Sequence, residues 1–291
     1  MDGARVATAS GVLAILLWSS LALLTVATAG LPPFQVLATS FGVAAALGLL
    51  HAALRGRAGW AGLRQPGAAL ALSTAALFGY HALYFVALKR APAVEANLLN
   101  YLWPLLIVVF AGLLPGMRIR AGQWLGTLLG LAAAVLLLAG GRRLDADPAH
   151  LPGYLAALAA AVVWAGYSVL NRRHAQVPST AIVPACAGVA LLGALAHLLF
   201  ERTVAPTPAQ WLWLGLMGLG PVGIAFQLWD AGTKRGDLAL LGTLSYLAPL
   251  LSTVLLVLSG RVQPHPLQAV ALALLLAGAW LGARPQSAAS A

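Results

Sequence analysis

Stretches of about 20 residues almost free of charge recur through this chain, and they constrain its folding more than any other feature. Ten of them cover residues 8 to 29, 33 to 54, 67 to 88, 94 to 114, 121 to 140, 151 to 171, 180 to 200, 208 to 229, 238 to 259 and 264 to 283. All 17 Lys and Arg lie in the gaps or at the termini, as do the Asp and Glu apart from Glu95 at the start of the fourth run. Such a run spans a bilayer core as a helix, because only a helix satisfies its own backbone hydrogen bonds there. With 61% of its 291 residues hydrophobic and 8% charged, the chain lacks the polar surface of a soluble domain. The expected fold class is an all-α integral membrane protein of ten transmembrane helices embedded in the lipid bilayer.

The formal net charge of +10 is explained by topology rather than by nucleic acid. With the N-terminus inside, eleven cations fall on the cytoplasmic side: Arg5, Arg55, Arg57, Arg64, Arg118, Arg120, Arg172, Arg173, Lys234, Arg235 and Arg284. Six fall outside: Lys89, Arg90, Arg142, Arg143, Arg202 and Arg261. The excess predicts that both termini are cytoplasmic. The first run ends in Ala27-Thr28-Ala29, like a signal-peptide cleavage site, but it is long enough to span and nine more runs follow, so it is expected to stay. The single cysteine, Cys186, excludes an intramolecular disulfide and has the apolar setting of a packed small residue.

The chain also repeats itself. Lys89-Arg90 followed by Tyr101-Leu102-Trp103-Pro104-Leu105-Leu106 recurs 145 residues later as Lys234-Arg235 followed by Tyr246-Leu247-Ala248-Pro249-Leu250-Leu251, with eight identities in an 18-residue window. A weaker echo sets Trp18-Ser19-Ser20 against Trp164-Ala165-Gly166. The expected organisation is therefore two five-helix repeats, 1 to 145 and 146 to 291. Five is odd, so the second copy enters the membrane from the opposite side, and the repeats are inverted as in many secondary transporters.

Polar and aromatic residues inside these runs are the candidates for function, since polar groups in hydrocarbon must be paired or hydrated. Trp18, Trp103 and Trp164 lie well inside their spans. By contrast Trp60, Trp124, Trp211, Trp213, Trp229 and Trp280 lie at span ends, where an indole suits the headgroup layer. Tyr80, His81 and Tyr84 form one patch on the third span, and Asn97, Asn100 and Tyr101 share helical spacing on the fourth. Their symmetry mates are Ser245 and Tyr246, and Trp164, Tyr167, Ser168 and Asn171 share a face of the sixth span. The candidate substrate-binding set is Trp18, Tyr80, His81, Tyr84, Asn97, Asn100, Tyr101, Trp103, Trp164, Tyr167, Ser245 and Tyr246. Pro104 and Pro249 each remove a backbone donor inside a span and are candidate hinges. Gly126, Gly130 and Ala134, four apart, fit close helix packing.

No acidic residue lies in mid-span, and no phosphate-binding G-x-x-x-x-G-K-[ST] loop or H-E-x-x-H motif occurs. Catalytic residues, metal and cofactors are therefore none by expectation.

The ten runs, the doubled Tyr-Leu-x-Pro-Leu-Leu stretch and Gly126-Thr127-Leu128-Leu129-Gly130 resemble the EamA-like exporters of the drug/metabolite transporter superfamily. The Gly-Glu pair that usually closes the fourth and ninth helices of that family is absent; Leu114-Pro115-Gly116-Met117 and Ser259-Gly260-Arg261 stand there. Tyr80-His81 and Asn100-Tyr101-Leu102-Trp103-Pro104 are most similar to bacterial aromatic amino acid exporters. The resemblance implies a monomeric inner-membrane secondary transporter that exports aromatic amino acids by alternating access. Carriage of cationic drugs, by cation-π attraction to the same rings, or of other metabolites of the same superfamily, and a membrane-embedded enzyme remain as alternatives.

Overall fold

The computed structural model describes residues 3–139, 147–261, 263 and 265–283. The expected repeat junction at 145 and 146, Arg142, Arg143 and Arg284, and the start of the last run at Pro264 lie outside these residues. Every regular element among the described residues is helical. Among the described residues nine helical runs are long and apolar enough to cross a membrane: α1 (Gly3–Ala27), α2 (Pro33–Leu54), α3 (Gly67–Arg90), α4 (Ala93–Gly112), α5 (Ala121–Ala139), α6 (Pro148–His174), α7 (Ser179–Phe200), α8 (Pro208–Arg235) and α9 (Leu238–Leu258). A further apolar helix, α10 (Pro266–Ala283), is shorter than these.

Several runs are interrupted. α1 breaks at Ser19-Ser20, α4 at Tyr101-Leu102 and α9 at Ser245-Tyr246. The last two breaks precede Pro104 and Pro249, where the missing proline N–H leaves the carbonyl of Asn100 or Ser245 without its usual donor one turn on. Leu102 N–H bonds to Leu99 O at 3.2 Å, and Ala248 N–H to Ser245 O at 3.1 Å, so the chain tightens to i+3 bonds there. In α8 the segment Gly218–Ile224, with Pro221 inside it, is wound as a π-helix. The eighth apolar run ends at 229, yet α8 continues to Arg235 and buries Asp230 and Lys234. Their charges neutralise each other, which removes the reason to expect the helix to stop.

The chain forms two compact units, and each draws on both halves of the sequence. The first comprises Met1–His81 and Leu170–Gly236, and the second Ala82–Val169 and Asp237–Ala291. Within the first unit α2 packs along α7, and α1 along α8. Glycines permit the approach of α2 and α7, since a Cβ at Gly193 would meet Ala38 N at 3.2 Å and one at Gly48 would run into the Val183 side chain. The buried stripe of α1, Ala7, Gly11, Ala14 and Ile15, has helical spacing. One end of α2 is closed by Glu201, whose carboxylate accepts from Phe34 N at 3.1 Å and Gln35 N at 3.2 Å. Opposite-facing leucines of α7 (Leu191, Leu195, Leu198 and Leu199) stay more than half exposed, as residues facing lipid would.

Within the second unit α5 packs along α10, with Gly126 and Gly278 set backbone to backbone. Gly130 lies against the Tyr246 ring, and Ala133, Ala134, Tyr246, Leu250, Ala271 and Leu275 form a buried cluster. Thr127 and Thr243 share a hydroxyl hydrogen bond at 2.8 Å across α5 and α9.

Candidate functional site

In the first unit the rings form a chain of contacts. Tyr80 meets His81 edge-on with centroids 5.1 Å apart, and His81 meets Phe41 at 5.4 Å and 84°. Phe41 stacks on Phe226 at 5.6 Å; Trp18 then contacts Phe226 at 5.7 Å and Trp229 at 5.0 Å. His81 Nδ1 lies 2.7 Å from the Leu77 carbonyl. That oxygen can only accept, so Nδ1 carries the proton, and in the neutral ring Nε2 is left as an acceptor. Tyr80 and His81 are half-buried, so the polar end of this ring chain is accessible. Trp18 commits its indole N–H to Pro221 O at 2.9 Å.

In the second unit Trp103 and Trp164 are nearly buried and meet edge to face at 6.3 Å and 88°. Tyr167 lies 5.6 Å beyond Trp164. The Tyr84 hydroxyl donates to Asn97 Oδ1, and Asn97 Nδ2 donates to Ala93 O at 2.7 Å. Asn100 is buried immediately before the α4 break, and Tyr101, in the break itself, is half-buried. The repeat mates differ: Ser245 is buried with its hydroxyl on Leu241 O at 2.6 Å, and Tyr246 is buried against Gly130.

The structure thus gathers Tyr80 and His81 in one cluster, and Trp103, Trp164 and Tyr167 in another. Tyr84 with Asn97 forms a polar pair, while Tyr246 sits in a packing core. Phe41, Phe226 and Trp229 belong to the first ring chain and were not singled out from the sequence. A signal existed for two of them, because the repeat offset of 145 carries His81 onto Phe226 and Tyr84 onto Trp229. Trp229 is 1% exposed, which corrects its assignment to the headgroup layer; α8 extends past it, so it is not at a helix end. Of the other tryptophans placed at span ends, Trp60, Trp124, Trp211 and Trp280 are exposed and Trp213 is half-buried.

Chemically these clusters offer π faces, a histidine acceptor, amides and hydroxyls. Among the described residues no group of three or more His, Cys, Asp or Glu could hold a metal ion.

A helical, multi-pass membrane protein with broken helices and polar aromatic clusters inside its spans has the build of a membrane carrier. The profile of the EamA-like transporter family matches it twice, over residues 7–139 and 151–283, and the chain belongs to that family. It is a transporter, and the enzyme alternative falls away. An aromatic amino acid exporter, YddG, of Ancylobacter novellus is 50% identical over 276 residues, covering 94% of this chain and 95% of that protein. YddG of Escherichia coli strain K12, described in the same words, is 28% identical over 270 residues, 86% of this chain and 87% of its own length. A solved crystal structure has a TM-score of 0.90 and 48% identity over 95% of this chain and 96% of its own.

Proposed function

We propose that this chain exports aromatic amino acids across the bacterial inner membrane, as a monomeric secondary transporter working by alternating access. The observation that carries the substrate class is the 50% identity, over nearly the full length of both chains, to an aromatic amino acid exporter. In this reading the chain has ten spans, both termini are cytoplasmic, and residues 1 to 145 and 146 to 291 are inverted repeats. The two family matches and the shared break before Pro104 and Pro249 support that symmetry, and the prolines act as paired hinges.

The proposed substrate-binding residues are Tyr80 and His81 in the first unit, and Tyr84, Asn97, Asn100, Tyr101, Trp103, Trp164 and Tyr167 in the second. Trp18 in the first unit and Ser245 and Tyr246 in the second belong to the same proposed substrate-binding set. An aromatic amino acid needs ring faces for its side chain and hydrogen-bonding groups for its zwitterion, and these residues supply both. Purified protein in liposomes should carry labelled phenylalanine down its gradient, and unlabelled tyrosine and tryptophan should compete. Competition by amphiphilic cations instead of aromatic amino acids would transfer the reading to cationic drugs.

A further inference from the structure

We propose that a pocket at the end of α8 holds the phosphate of an anionic phospholipid. It is a shallow, open depression of about 480 Å³ within the first unit. One wall is a single face of α8 made of Gln227, Leu228, Ala231 and Arg235, and the other is the segment Gln176, Pro178, Ser179 and Thr180 that leads into α7.

Three features point to a phosphodiester. First, the lining contains a guanidinium and no carboxylate. The neighbouring acid, Asp230, is outside the lining and already neutralised, with Lys234 Nζ 2.8 Å from Oδ2 and Asn171 Nδ2 2.9 Å from Oδ1. The two segments 171–180 and 225–235 carry Arg172, Arg173, Lys234 and Arg235 against that one acid, so the local field favours an anion. Second, the Ser179 hydroxyl is buried and has no hydrogen-bond partner among the described residues. An orphan buried hydroxyl is costly, and a phosphate oxygen would satisfy it. Third, Arg235 commits one N–H to Ala175 O at 3.0 Å, which fixes the planar fork, and a guanidinium can present further donors to phosphate bidentately.

A lipid fits this site better than a free anion. From Arg235 toward mid-helix the same face turns apolar at Ala231 and Leu228, over roughly 10 Å of helix rise. With α8 spanning the bilayer, its charged end at Arg235 would face the headgroup layer and the apolar part an acyl chain. Gln227 and Gln176 supply amide donors to glycerol or ester oxygens. Basic pockets at the ends of membrane helices recognise anionic headgroups in this way.

The test uses delipidated, detergent-purified full-length protein titrated with phosphatidylglycerol and followed by native mass spectrometry, with phosphatidylcholine as control. The wild type should retain one phosphatidylglycerol per chain and much less phosphatidylcholine. Arg235→Gln should weaken retention by about fivefold, the loss of one basic contact, while Arg235→Lys keeps most of it. Ser179→Ala, too small a change to unfold the chain, should weaken retention by a smaller but measurable factor and decides the matter if Arg235→Gln does not fold. Equal retention of both lipids by the wild type, or unchanged retention in Ser179→Ala and Arg235→Gln, would overturn the proposal. Displacement of the lipid by millimolar inorganic phosphate would overturn it in favour of a soluble anion.

Discussion

The indole N–H of Trp18 donates to the carbonyl oxygen of Pro221 at 2.9 Å, joining α1 to the π-wound turn of α8 across 203 positions of sequence. A π segment leaves carbonyls out of register with their usual donors. Here a side chain from another helix supplies one. Trp18→Phe keeps ring contact with Phe226 and Trp229 but loses this bond, and should lower stability by about 0.6 kcal/mol, the typical worth of an interhelical bond in a membrane. Trp18→Ala also empties ring volume and should cost about 3–5 kcal/mol. Thermal melts of the purified variants check both values and their order.

Asp230 and Lys234 form a buried i,i+4 pair, each with about 3% of its side chain exposed. Asn171 also donates to Asp230, and Lys234 donates to Val177 O at 3.1 Å. Removing one partner strands the other charge, so Asp230→Asn or Lys234→Met alone should destabilise by about 3–5 kcal/mol. The double variant strands neither and should recover much of the loss. A double-mutant cycle on melting temperature tests this, and additive losses would contradict it.

Gly126 and Gly278 set α5 and α10 in backbone contact, with a Cβ at Gly278 meeting Gly126 O at 2.6 Å. Gly278→Val should force the helices apart at about 1–3 kcal/mol and lower the yield of folded protein. Gly166, where an added Cβ would meet nothing within 4 Å, is the control. Gly166→Ala should be neutral or mildly stabilising, by up to about 1 kcal/mol, as judged by size-exclusion recovery after heating.

Glu201 holds the first amides of α2 and also lies 2.9 Å from His197 Nδ1, while His197 Nε2 lies 2.9 Å from Thr203 Oγ1. Glu201→Ala should cost about 1–2 kcal/mol, the value of a charged helix N-terminal cap. Glu201→Gln keeps an acceptor and should cost less. Denaturation of the two variants side by side gives the comparison.

Much of this fold is legible in the sequence because the bilayer imposes one rule: uncharged runs become helices. That rule places the apolar spans and the small-residue contact at Gly126. It fails where charges cancel, as at Asp230 and Lys234, since a sequence window counts charges without knowing that one helical turn pairs them. The repeat likewise reveals related segments but not their surroundings. Lys89 is exposed while its mate Lys234 is buried, because position 85 is Phe where position 230 is Asp. For the candidate site, intraspan Tyr80, His81, Trp103 and Trp164 were visible from their depth alone. Phe226 was legible only through the repeat offset that sets it against His81, and Phe41 not at all, because a phenylalanine in an apolar helix is indistinguishable from lipid-facing filler until its ring partners are known. The compact units draw on both sequence halves, a tertiary outcome no local pattern encodes.

The most direct test of the transport account is counterflow in proteoliposomes preloaded with unlabelled tryptophan, with entry of labelled phenylalanine followed for wild type, His81→Ala and Trp103→Ala. The account predicts transient accumulation of label by the wild type and at least a tenfold slower rate, about 1.4 kcal/mol in the barrier, in both variants at unchanged membrane insertion. Wild-type liposomes that accumulate no more label than empty ones would contradict it.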